Sequence, residues 1–210
     1  MAEITSGLRS ILSAPLVYEL VQRIFGAHAE RVALVEDLIR PRPKDRILDI
    51  GCGPADILAL MPDVHYVGYD PNPRYTESAR ARFGDRAHFF AGRFQADDVA
   101  RHEPFDVGLL LGVLHHLDDG EAGSLLGLMR AAIRPGGRLI TLDNVFVEDQ
   151  NFIARKLIEW DRGKNVRTPA GYRSLTTPYF DMIAEEVIHK KMPPYTLFVM
   201  ELAARASPRQ

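Results

Sequence analysis

ILDIGCGPADIL, residues 47–58, is the stretch that decides the fold. Aliphatic residues around a single acid, Asp49, run into two glycines one residue apart, then a proline, then a second apolar stretch. That order reads as a short buried strand, a tight turn and a helix start. Gly51 and Gly53 let the backbone bend sharply and approach a ligand with no Cβ in the way. In an open doubly wound sheet, ligands bind beyond the carboxyl ends of the strands, where strand order reverses, so this turn is the expected ligand site.

Outward from the turn, strands and helices alternate. HYVGYD (65–70), AHFFAG (87–92), FDVGLLLG (105–112) and RLITLDN (138–144) read as further strands, the last fed by PGG. RYTESARARF (74–83) and DDGEAGSLLGLMRAAI (118–133) read as helices, the second with acids in its first turn, where they suit the helix dipole. Such alternation implies right-handed βαβ units and a parallel sheet covered on both faces. The pattern changes after residue 144. NFIARKLIEW (151–160) reads as helix and 161–178 as a long connection. EVIHKK (186–191) and TLFVMELA (196–203) flank MPPY, which makes a hairpin closing one edge of the sheet. Upstream, 15–25 and 28–39 carry helix-period apolar positions, and RPRP (40–43) stops the second of them. The expected organisation is one domain: 1–40 a helical cover, 41–150 the cofactor-binding core, 151–185 a candidate lid or substrate region, and 186–203 the closing hairpin.

Composition narrows the class. The chain has 210 residues, 46% of them apolar and 26% charged, a soluble globular profile. The formal net charge of −2 supplies no global field toward nucleic acid or an anionic membrane. Cys52 is the single cysteine, which excludes an intrachain disulfide and a multi-cysteine metal site. The start MAEITSGLRS lacks the pattern of a signal peptide, and no run reaches the ~18 apolar residues of a membrane helix, so a cytoplasmic protein is expected. No metal is expected either. The one His/Asp cluster is HHLDD, whose Asp118 and Asp119 read as helix-start residues.

The turn also discriminates between ligands. A dinucleotide fingerprint wants a third glycine, and Asp56 stands at that position. Asp49, two residues before Gly51, would repel a pyrophosphate and suit an ammonium or sulfonium group. Asp70 ends the next strand, where a carboxylate accepts both hydroxyls of a ribose. The expected ligand is therefore a nucleoside carrying positive charge rather than a nicotinamide dinucleotide.

ILDIGCGPA, VGYDPNPRYTESAR, FFAGRFQADD, FDVGLLLGVLHHLDD and IRPGGRLITLDNVF, in this order over roughly residues 40–150, resemble the motifs of the class I S-adenosylmethionine-dependent methyltransferases, in the broad small-molecule group that includes the ubiquinone-biosynthesis type. The resemblance implies an α/β, Rossmann-like, seven-stranded, mostly parallel sheet with helices on both faces and a final antiparallel strand inserted beside the fifth. It implies S-adenosylmethionine as cofactor and S-adenosylhomocysteine as product. By the same resemblance Asp49, Gly51 and Gly53 line the methionine portion, with Cys52 a small packed residue between them. Asp70 takes the ribose, with Pro71 and Asn72 nearby. GRFQ stands where adenine is held, but Arg93 and Phe94 replace the usual aspartate-alanine, leaving backbone groups of Phe94 or Gln95 to substitute. Leu111, Gly112 and Val113 run beneath the cofactor, and Tyr18 is a further contact from the amino-terminal cover.

Methyl transfer from a sulfonium is an in-line displacement, so the protein must align the acceptor and, for a hydroxyl, remove its proton. Histidine is the natural base near neutral pH. By resemblance to relatives that methylate sugar hydroxyls, His115 is the expected base and Asp143 its partner. His116 is left to pack under the cofactor or to cap the next helix. Residues 151–173 hold six Lys or Arg against two Asp or Glu, so Arg162, Lys164, Arg167 and Arg173 are candidates for a phosphate or carboxylate on the acceptor. The expected function is methylation of an oxygen or nitrogen of a small polar metabolite. An RNA methyltransferase, or a non-catalytic adenosyl-ligand-binding protein of the same fold, is the alternative. The absence of an appended RNA-binding module and the slightly acidic chain stand against RNA. Oligomeric state is left open.

Overall fold

Strand β1 (Arg46–Ile50) is buried along four of its five residues because strands flank it on both sides and helices cover both faces. The computed structural model describes residues 27–160, 163–191 and 193–205. The expected helix at 15–25, and Tyr18 with it, lie outside the described residues, as do Arg162 and residues 206–210. Helix α1 (Ala27–Ala33) runs on as a π-helical turn (Leu34–Ile39) before β1. Then follow β2 (His65–Asp70), α2 (Pro73–Phe83), β3 (Ala87–Ala91), α3 (Ala96–Arg101), β4 (Phe105–Leu111), α4 (Asp119–Ala132), β5 (Ile133–Asn144), α5 (Phe152–Trp160), α6 (Pro169–Thr176), β6 (Phe180–His189) and β7 (Thr196–Ala204).

The strands form one seven-stranded sheet in the order β3-β2-β1-β4-β5-β7-β6. β1 to β5 are parallel, and β7 is antiparallel to both β5 and β6, so the last strand is inserted beside the fifth as expected. One apolar layer packs Val35, Ile39, Leu58 and Ala79 on Ile47, Tyr66, Phe89 and Leu109. The other packs Ala122, Leu126, Met129 and Tyr172 on Leu48, Tyr69, Leu110 and Phe198. Strand order reverses between β1 and β4. The glycine turn and the loop after β4 therefore emerge side by side at the carboxyl edge of the sheet.

Three local expectations are corrected. The glycine turn opens into a short 3₁₀ segment (Asp56–Leu60), not a long helix, because β2 begins at His65 and Pro62 intervenes. The long connection contains α6, whose Thr168 caps it by accepting from the Gly171 amide and whose Pro169 starts it. The hairpin's first strand begins at Phe180 rather than 186, on an edge exposed over most of its length. The PGG triplet also lies inside β5 as an irregularity: Phe105 pairs with Ile133, yet Val107 pairs with Arg138.

Candidate functional site

Gly51 follows β1 with φ 74°, its N–H donating to the Tyr69 carbonyl at 2.7 Å. A Cβ there would come within 2.8 Å of Val113 Cγ2. Backbone conformation and space both demand glycine, and the same contact joins the β1 turn to the loop after β4. Gly53, also at positive φ, donates its N–H to Asp70 Oδ2 at 2.9 Å, and the Asn72 N–H donates to Oδ1 at 2.7 Å. Each Asp70 oxygen thus spends one lone pair on fixing the turn and keeps another, which fits the two hydroxyls of a ribose. The Asn72 side chain accepts from the Arg74 amide and caps α2.

Asp49 is 2% exposed, and the Tyr66 hydroxyl donates to its Oδ2 at 2.5 Å. Burial pushes its carboxyl up to about 7; the Tyr66 hydrogen bond opposes the shift and the Asp70 charge adds to it. Cys52 fills the space over Gly68, where a Cβ would lie 2.8 Å from Cys52 Sγ. Burial, then the charges of Asp49 and Asp70, push its thiol well up, so it stays protonated and packs instead of reacting.

The raised carboxyl of Asp49 has a consequence for the ligand-free protein. Its ordinary value is 3.8, so between that and about 7 the folded state binds a proton that the unfolded chain has released. Stability from this group is complete below the lower value and is lost as pH rises through the higher one. Asp49→Asn is expected to raise the melting temperature at pH 8 and to change it little at pH 4, with cofactor affinity reduced. Thermal melts at the two values check this; equal effects at both would refute it.

After β4, Gly112 at φ 75° donates its N–H to the Leu142 carbonyl at 2.7 Å and ties this loop to β5. The short turn Leu114–His116 then presents His115. Its backbone N–H donates to Asp143 Oδ1 at 3.1 Å, and its Nδ1 lies 2.7 Å from the same oxygen. Both residues are buried. With Nδ1–H given to an ionised Asp143, the lone pair of the neutral ring is left on Nε2. Burial raises the Asp143 carboxyl, and the bonds from His115 pull it back. Among the described residues, Asp143 Oδ2 is buried without a hydrogen-bond partner. His116 is exposed, its ring 4.1 Å from that of His115. It does not cap the next helix: Asp118 does, accepting from the Glu121 amide.

A strap from the expected lid closes over His115. A Cβ on Gly163 would overlap the imidazole, and the Asn165 N–H donates to the His115 carbonyl at 3.0 Å. Arg167 donates to the carbonyls of Leu114, Asn165 and Leu117 and pairs with Asp119 at 2.7 Å. This corrects the expectation that Arg167 serves an acceptor anion, because its guanidinium is spent on holding the His115 turn. Arg173 is corrected likewise: it binds Glu185 through two nitrogens. Lys164 pairs with no described residue and lines a cavity of about 500 Å³ with Asp119, Asn165 and Ser174.

The adenine candidates have other partners. Arg93 pairs with Glu121 at 2.9 Å on the surface, and Phe94 is buried edge-on against Tyr69. Gln95 caps α3, its side chain accepting from the Asp98 amide while its own N–H donates to Asp98 Oδ2. Of the backbone groups expected to substitute for the usual carboxylate, the Gln95 N–H is thus already taken up by Asp98. Leu111, Gly112, Val113 and Pro71 lie at the strand ends around the turn. Sequence reasoning missed Tyr66 and Gly163 and gave Arg167 another role. Tyr66 reads simply as part of a buried strand, and nothing local marks Gly163 or the clamp made by Arg167. Among the described residues no group of three or more His, Cys, Asp or Glu is placed to hold a metal, and no helix is long and apolar enough to cross a membrane.

Comparison with known proteins agrees with this geometry. A family model described as a methyltransferase domain matches residues 48–139. An O-methyltransferase of Pyrenophora dematioidea is 29% identical over 165 residues, covering 70% of this chain and 61% of that protein. The chain thus spans about three-fifths of that relative's length. Among solved structures, the N-methyltransferase NodS from Bradyrhizobium japonicum WM9, in complex with S-adenosyl-L-homocysteine, aligns with a TM-score of 0.63 at 16% identity over 99% of this chain and 95% of its own. The pyocyanin biosynthetic protein PhzM aligns at 0.67 and 17% identity over 95% of this chain and 63% of its own. The family model lies over the glycine turn and the fold is shared nearly end to end, so residues 48–139 match a methyltransferase domain and the chain is similar in fold to a methyltransferase solved with S-adenosyl-L-homocysteine.

Proposed function

We propose that this protein is an enzyme that transfers a methyl group from S-adenosylmethionine to an oxygen or nitrogen of a small polar molecule, with His115 as general base and Asp143 as the residue that orients it. The observation that carries the reading is the 2.7 Å contact between His115 Nδ1 and Asp143 Oδ1, reached from the glycine turn through Val113 and Gly112. S-adenosylmethionine, when bound, supplies an electrophilic methyl on a sulfonium. The chain's own part is to hold, orient and deprotonate. Gly51 and Gly53 admit the ligand to the backbone, Asp70 takes ribose hydroxyls, and Asp49 meets positive charge. His115 Nε2 takes the acceptor proton while Asp143 stabilises the resulting imidazolium. Lys164 and its cavity supply the one described lid cation without a described partner for an anionic substituent on the acceptor. The names of the fungal O-methyltransferase and of NodS are compatible with either acceptor atom.

Calorimetric titration with S-adenosylmethionine, S-adenosylhomocysteine and NADH tests the first step. Micromolar affinity for the two adenosyl ligands and none for NADH is expected. Asp70→Asn should weaken the adenosyl ligands at least about tenfold, because the amide NH2 can accept neither a ribose hydroxyl nor the turn N–H it would face. Folded protein that binds no adenosyl ligand would end this reading.

A further inference from the structure

We propose that Tyr66 is a positioning residue for cofactor binding: its hydroxyl anchors Oδ2 of Asp49 and leaves Oδ1 to receive the ligand's ammonium group. The inference rests on the cofactor reading above and names a residue of β2 that does not itself reach the ligand. Tyr66 pairs in register with Ile47, two residues before Asp49, and the residue opposite Asp49 is Gly68. Cys52 and Phe89 fill the space over Gly68, and the Tyr66 hydroxyl reaches Asp49 Oδ2 beside them. The ring is 1% exposed and packs on Phe89 at 5.8 Å. Phenylalanine would serve those apolar contacts equally well. What the hydroxyl adds is the bond to Asp49, the partner that makes burying a polar oxygen tolerable. Among the described residues Oδ1 accepts no hydrogen bond, yet it is not one of the fully buried polar atoms left without a partner. A carboxylate this buried, with one oxygen engaged and the other open beside a glycine turn, is built to be completed by a cation.

The titratable groups facing Asp49 are Tyr66 and Asp70 of β2 and Cys52 of the turn, while β4 presents Leu109 beside it. Tyr66 alone favours the ionised carboxylate. Asp70 and the apolar surroundings oppose it. Removing the hydroxyl therefore shifts ionisation of Asp49 to higher pH, and a ligand that needs the anion feels the change.

The test compares S-adenosylhomocysteine, which carries the ammonium, with 5′-methylthioadenosine, which lacks it, by calorimetry on the wild type and on Tyr66→Phe between pH 6 and 8.5. In the wild type, affinity for S-adenosylhomocysteine should rise with pH through about 7 while that for methylthioadenosine stays flat. In Tyr66→Phe the first profile should move up by about one pH unit, with roughly tenfold weaker binding at pH 7. Methylthioadenosine should bind as before. In an Asp49→Asn background, Tyr66→Phe should have no further effect. Equal weakening of both ligands, an unshifted profile, or a flat wild-type profile would overturn the proposal. Wild-type protein that binds neither ligand would instead overturn the cofactor reading beneath it. If Tyr66→Phe does not fold, Tyr66→Met, which also lacks the hydroxyl, takes its place with the same expected outcomes.

Discussion

His115→Ala will lower turnover of a hydroxyl acceptor by about 10²–10⁴-fold while leaving S-adenosylhomocysteine affinity within about twofold. The expected split follows from where the residue sits. In the proposed site the glycine turn, Asp49 and Asp70 hold the cofactor. His115 lies beyond Gly112, buried, with its Nδ1 committed to Asp143. On the proposed roles, removing the ring takes away the proton acceptor and leaves the proposed cofactor residues in place. Asp143→Asn is the sharper probe, since it keeps shape and removes one charge. The same Oδ1 accepts both the His115 backbone N–H and Nδ1–H, so the asparagine keeps its carbonyl oxygen there and its NH2 at the other position, and the tautomer is retained. The expected loss, smaller than that of His115→Ala, then measures the missing negative charge that stabilises the imidazolium. Single-turnover rates alongside calorimetry separate chemistry from binding. Near-normal turnover in both variants would show that no base acts here and would point to an acceptor nitrogen that reacts as the free amine.

What the sequence makes legible is whatever is decided by nearest neighbours along the chain. β1 to β5 are runs of apolar residues closed by turn residues, and each is found within a few residues of its expected ends, apart from the irregular start of β5. The glycines at 51, 53 and 112 announce backbone with positive φ, and all three have it. The hidden parts fall into two kinds. Some carry local signals that an apolar-period reading passes over. α6 opens with Thr168 and Pro169, and α3 with a capping box between Gln95 and Asp98. Others have no local signal. After the buried Phe180, β6 is exposed on both faces from residue 181 to 186, so burial does not alternate there, and pairing with β7 makes it a strand. The contact of His115 with Asp143 could be expected because adjacent strands end together. The clamp of Arg167 on the same turn links residues about fifty positions apart, and nothing in a basic stretch distinguishes an arginine buried on carbonyls from one offered to a ligand.

That clamp leads to the second large effect. Gly163→Ala should reduce turnover about 10²-fold, the order expected when a catalytic group is misplaced by about 1 Å, with adenosyl-ligand affinity unchanged. The new methyl would occupy the position of the His115 ring, so either the imidazole leaves its place over Asp143 or the strap lifts. The strap is held on its far side. The Asn165 N–H is bonded to the His115 carbonyl, and Arg167 grips the carbonyls of Leu114 and Leu117 together with Asp119. Several hydrogen bonds, most of them charge-assisted, oppose lifting, whereas the imidazole is held on its partner mainly by one side-chain bond. The ring should therefore yield first. Arg167→Lys supplies the contrast. It keeps the charge but cannot span three carbonyls and a carboxylate in one plane, so the strap should loosen. In the double variant Gly163→Ala, Arg167→Lys, the added methyl then has room, and the two changes should cost less together than the sum of their separate effects. Strict additivity, or full turnover in Gly163→Ala alone, would mean that the strap moves freely and that His115 is positioned by Asp143 without help from residues 163–167.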